Sequence, residues 1–72
     1  MQQIEFQLNG EYVELNQLLK MVGLCDSGGA GKAMVVEGVV SVDGQLELRK
    51  TAKIRSGVVV TLGDVQIRVV AG

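Results

Sequence analysis

The 72 residues contain no histidine, no proline and no tryptophan, and cysteine, tyrosine and phenylalanine occur once each. Each shortage excludes something. Without imidazole there is no His-based catalytic triad and no zinc site of the usual ligand set. The single Cys25 cannot form an internal disulfide, and as a nucleophile it would lack its usual base. Its expected place is as a small buried apolar residue between helices. With only Phe6 and Tyr12 as aromatics, the core must be built from Val, Leu, Ile and Met. The absence of proline and an apolar content of 47% argue against disorder.

No basic segment followed by an apolar run opens the chain, and no stretch approaches a membrane span. A soluble, cytoplasmic protein with no signal peptide and no membrane partner is expected. A chain of this length forms one domain that buries roughly 60% of its unfolded surface. It has little room for a deep catalytic cleft, and no acid–base pair or nucleophile constellation is visible. The expectation is no enzyme and no cofactor.

The net charge of −1 conceals an uneven distribution. From residue 1 to 26, Glu5, Glu11, Glu14 and Asp26 face one base, Lys20. From 48 to 63, Arg49, Lys50, Lys53 and Arg55 face no acid. Partners respond to the local field rather than to the total.

The stretch "DSGGAGKAMVVEG", residues 26 to 38, has the look of a phosphate-holding loop. The strict pattern fails, because Asp26 stands where the first glycine belongs and Ala33 where a hydroxyl would meet magnesium. The physics beneath the motif survives. Ser27 sits at an N-cap position, able to accept a bond from the amide near Ala30. Gly28 and Gly29 would then expose first-turn amides with no side chains to screen them, an end that attracts phosphate. Gly38 would close the same helix as a left-handed cap.

Along the chain, "QIEFQL" alternates as a half-buried strand, and Asn9-Gly10 signals a turn into a brief second strand at "EYVEL". "NQLLKMVGL" predicts a helix capped by Asn16 and ended by Gly23. The second helix is predicted from Gly28 to Glu37, with Ala33 and Met34 packing on Leu18 and Leu19. Two hairpins follow, one turning at Asp43-Gly44 as a type I′ turn and flanked by Val40, Val42, Leu46 and Leu48. The other turns at Gly63-Asp64, and the basic "RKTAKIRSG" between them reads as loop. This order, a strand, two helices and three or four strands, predicts an α+β fold. Two short helices pack on one face of a small, mainly antiparallel sheet.

A helix with "LLK", then "SGGxxKAxxxEGxVxVDGxxExRK", a Lys-x-Arg segment and a final hairpin together resemble a known family. It is the RNA-binding domain named after ribosomal protein S-four, the αL motif, and the likeness is greatest to its small stand-alone bacterial YbcJ-like members. The resemblance covers about Leu15 to Val70. It implies a single RNA-binding domain over residues 1–72 with the first strand as an N-terminal extension. Two departures are visible. Ala30-Gly31-Lys32 stands where the family often has a polar or acidic residue before Ala-Lys, which softens the helix. Asp43-Gly44 replaces a frequent Asn-Gly, keeping the turn but adding a negative charge.

Carried over by position, the resemblance implies RNA contacts at Ser27, Gly28, Gly29 and Lys32, at Asp43 and Gly44, and at Arg49, Lys50, Lys53 and Arg55. Strand alternation would aim Arg49 and Lys50 at opposite faces, so that one of them misses the RNA. Phe6 and Tyr12 lie outside this region of the sequence, so recognition by shape and backbone is expected rather than by base stacking. The implied partner is structured RNA, ribosomal or transfer, bound by a monomer. The competing reading is a protein-interaction adaptor that pairs a partner strand on an exposed Val-rich sheet edge.

Overall fold

The computed structural model describes residues 2–72. Nine elements follow in order: β1 (Gln2–Leu8), β2 (Val13–Glu14), α1 (Leu15–Met21), α2 (Gly28–Val36), β3 (Val40–Val42), β4 (Gln45–Leu46), β5 (Lys53–Ile54), β6 (Val59–Leu62) and β7 (Val65–Ala71). Five strands form one sheet in the order β1-β7-β6-β3-β4, and β2 pairs with β5 in a separate ribbon. Among the described residues only the β1–β7 pair is parallel; every other pairing is antiparallel. The α+β expectation of two helices on a mainly antiparallel sheet is met.

Side-chain alternation builds the core. The row Ile4, Ile67, Val60 and Val42 crosses the sheet in register on its inner face. Leu15, Leu18 and Leu19 of α1 and Val35 of α2 close over Val40, Val60 and Ile67, all of them fully buried. Each such side chain contributes about 1.5–3 kcal/mol relative to exposure. Both hairpin turns form as expected. Asp43 and Gly44 take φ of 50° and 82°, the two positive values of a type I′ turn. Gly63, at φ 57°, takes the left-handed place ahead of Asp64, as a type II′ turn requires.

Several local expectations are corrected. Asn9-Gly10 does not join a hairpin, because β1 pairs with β7 and β2 with β5. Asn16 is not a cap: it lies inside α1, and the cap position is Glu14, whose side chain bonds nothing there. The α1 amides are instead taken by carbonyls of the basic stretch, Leu15 N–H by Ala52 at 2.9 Å and Asn16 N–H by Lys50 at 3.2 Å. That stretch is therefore not simple loop; it contains β5, with Ala52 and Ile54 buried.

Of the two α2 residues expected to pack inward, Met34 does pack against the core, half-buried, but Ala33 does not. Gly31 and Val35 are buried while Ala33 is exposed, because the main chains of the two helices meet at Gly31 and leave no room for a side chain. Leu46 and Leu48 are exposed as well, since β4 is an edge strand that ends at Leu46. Cys25 is half-buried rather than enclosed, and its thiol donates to the Ser27 carbonyl at 3.4 Å.

Candidate nucleic-acid interface

The start of α2 has the expected geometry. Ser27 is extended, at φ −153° and ψ 163°, and its hydroxyl accepts the Ala30 N–H at 3.1 Å. Gly28 and Gly29 open the helix, where first-turn amides have no intrahelical acceptor. Around Gly29 the surface is bare: the nearest atom to an added Cβ would be the Ser27 hydroxyl, 3.8 Å away. Gly28 is half-buried against the side chains of Gln17 and Asn16. Lys32 is exposed one turn along the helix.

The basic stretch is held beside this helix start by Asn16. The Asn16 main-chain N–H donates to the Lys50 carbonyl, and its side-chain Nδ2 donates to the Gly28 carbonyl at 3.3 Å. A residue with 2% exposure thus ties the two candidate surfaces to each other. With Ala52 and Ile54 pointing inward, the intervening Lys53 and the following Arg55 point outward. Arg49 and Lys50 lie beyond the end of β4, and both are exposed, so strand alternation does not separate them. Arg49 and Lys53 line one shallow depression with Thr51 and Ala52.

The charges in this region are not equivalent. Glu47 holds Arg49 in a fork: Nε donates to Oε2 and Nη2 to Oε1, each at 3.0 Å, and the Arg49 main-chain N–H adds a third bond to Oε2. These bonds pull the Glu47 carboxyl down to about 2, with the Arg49 side chain as the largest cause, and raise the Arg49 guanidinium above its ordinary value. The acid-free segment seen in the sequence began one residue too late to include this partner. Arg49 is thus partly neutralised, whereas Lys50, Lys53 and Arg55 have no carboxylate partner among the described residues.

The hairpin tip uses its carboxylate internally. Asp43 N–H donates to the Val59 carbonyl at 2.8 Å, and Asp43 Oδ1 accepts the Val59 N–H at 2.9 Å. The side chain so continues the β3–β6 ladder for one more step where the main chain turns away. Asp43 and Gly44 are anchored on β6 rather than on the basic stretch.

One residue that the sequence placed elsewhere joins the basic surface. Tyr12, 42% exposed, has Lys53 Nζ 5.1 Å and Arg55 Cζ 5.7 Å from its ring centroid. At exposed sites such contacts contribute about 0.5–1 kcal/mol each. The expectation that both aromatics lie outside the region is corrected for Tyr12. Only the β2–β5 pairing, some forty residues apart in the chain, brings it there.

The S4 domain family matches residues 6–70. The chain belongs to that family. It is 43% identical over 60 residues to YbcJ of Escherichia coli (strain K12) and to YbcJ of Shigella flexneri, covering 83% of this chain and 86% of each relative. It is also similar to the solution structure of E. coli YbcJ, which is described as revealing an αL motif involved in RNA binding. That likeness has a TM-score of 0.69 and 38% identity, over 99% of this chain and 89% of the other. The S4 domain is a binding domain rather than a catalytic one, and the expectation of no enzyme agrees with it. Within this S4 domain, buried Asn16 bonds both the capped start of α2 and the Lys50–Arg55 stretch and holds the two side by side.

Proposed function

We propose that this chain is a module for structured RNA, reading duplex shape and phosphate backbone, with ribosomal or transfer RNA as the target class. The observation that carries the reading is the double hydrogen bonding of Asn16, which fixes an amide-rich helix start beside a row of outward cations. Helix amides take phosphate oxygens by direction, and Lys and Arg take them by charge. The RNA-binding αL motif described for the solved relative supports the same reading. The net charge of −1 is no obstacle, because the acids and bases are separated along the chain.

The adaptor alternative has lost its main premise. It needs a Val-rich edge, but β6 and β7, the Val-rich strands, lie inside the sheet. The edges are β1, with Gln3, Glu5 and Gln7 exposed, and the two-residue β4.

The test is a salt series. Purified protein is titrated against transfer RNA and a ribosomal RNA hairpin at several salt concentrations. About three phosphate contacts would give a slope of log affinity against log salt of roughly −2 to −3. Binding that ignores salt, or no binding to either RNA, overturns the reading.

A further inference from the structure

Tyr12 is the one aromatic ring at the surface, since Phe6 packs against the core and tryptophan is absent. Its surroundings follow from a short register. In the β2–β5 ribbon, Val13 faces Ile54 and Glu14 faces Lys53. Ile54 points inward, at 2% exposure, so the alternate residues on each strand point outward. Continued by one residue, the register sets Tyr12 across from Arg55. The Arg55 guanidinium is steadied there by the Glu11 carbonyl at 3.5 Å.

We propose that the Tyr12 ring is a stacking platform for one unpaired base. The preferred RNA then carries a bulged or looped-out nucleotide next to a duplex backbone. This rests on the RNA reading above and narrows it to a class of RNA. A base inside a duplex has both faces covered by its neighbours and cannot reach the ring; an extruded base can. A nucleotide presents a flat π face and an anionic phosphate on adjoining atoms. The ribbon presents a ring and two cations on adjoining residues. Lys53 and Arg55 hold the ring in the free protein, and their flexible stems let the charged heads turn to the phosphates flanking the stacked base.

The experiment compares two RNA hairpins with the same stem, one fully paired and one carrying a single bulged adenosine. The wild-type chain is expected to bind the bulged hairpin about tenfold more tightly, equivalent to about 1.4 kcal/mol. Tyr12→Phe keeps that preference. Tyr12→Leu abolishes it, so that the two hairpins bind that variant alike. The chain has no other tyrosine, so the ring resonances of the wild-type protein report on this site without any substitution. They should move upfield with the bulged hairpin and show no upfield shift with the paired one. Equal affinity for the two hairpins, or equal weakening of both by Tyr12→Leu, overturns the stacking role while RNA binding stands. Failure to bind either hairpin overturns the RNA reading itself, and this inference with it.

Discussion

The main chain of Gly31 in α2 rests against that of Asn16 in α1, so closely that a Cβ on Gly31 would stand 2.5 Å from the Asn16 carbonyl oxygen. The obstacle is backbone, which cannot swing aside. Gly31→Ala would gain about 1 kcal/mol of helix propensity, against about 1–3 kcal/mol for overpacking. With Asn16 fixed at the junction, the second effect should win. Urea unfolding is expected to show a loss of about 1 kcal/mol or more. Gly29→Ala, where no atom is nearer than 3.8 Å, should keep or slightly raise stability. If Gly31→Ala is as stable as the parent, the helices pack less closely in solution.

At the hairpin tip, Gly44→Val should destabilise the domain by about 1 kcal/mol or more, because a β-branched residue resists positive φ. That corresponds to a fall of about 4–8 °C in Tm for a small domain. Asp43→Asn should be tolerated, since asparagine suits the turn and its amide oxygen can still accept the Val59 N–H. Asp43→Ala should lose that bond and cost about 1 kcal/mol. Equal stability of the Asn and Ala variants would show that the bond to Val59 contributes nothing.

Glu47 gives a prediction in pH. Its carboxyl is held at about 2 against an ordinary 4.5, so the folded state binds this proton less readily than the unfolded chain. Its stabilising contribution is complete above pH 4.5 and is lost as the pH falls towards 2. An NMR titration should place the Glu47 carboxyl midpoint near 2 in the wild type, and closer to 4.5 in Arg49→Ala. A midpoint near 4.5 in the wild type would mean that the fork to Arg49 is not kept in solution.

The same pair ranks the cations. Arg49 must give up Glu47 before it can take a phosphate, whereas Lys53 has no such partner. Lys53→Ala should therefore weaken binding to structured RNA more than Arg49→Ala, and flatten the salt slope by roughly one unit. Glu47→Gln should tighten binding by releasing Arg49. Lys20→Ala, outside the basic stretch, is the control and should change little. If Arg49→Ala proves the more damaging, the fork positions Arg49 for RNA instead of withholding it.

What could be read from the sequence was local. Ser27 as cap, Asp43-Gly44 as a type I′ turn and the alternation of Ile4, Phe6 and Leu8 each depend on neighbours a few residues away. Such signals report backbone preference directly. What stayed hidden needed partners far along the chain. Asn16 carries the composition of a cap, but the carbonyls of Lys50 and Ala52 already occupy that role. Tyr12 shows no link to Lys53 until β2 and β5 pair. Gly31 looked like a weakness in the helix, and only the proximity of Asn16 makes it a requirement. In the site, the helix start was legible, while the unequal standing of Arg49 and Lys53 was not. That inequality comes from a side-chain fork that no spacing rule specifies.

The parallel pairing of β1 with β7 sets Gln2 against Val65 and Leu8 against Ala71, a separation of 63 residues in every pair. As the chain leaves the ribosome, β1 emerges 63 residues ahead of β7, the strand it pairs with. The two helices and the two hairpins can form from nearby residues while β1 waits with Ile4, Phe6 and Leu8 uncovered. Closing a loop of that length is slow compared with forming a hairpin. Docking of β1 should thus be the final folding event, and the interval before it is when this small protein is most open to chaperones and to proteases.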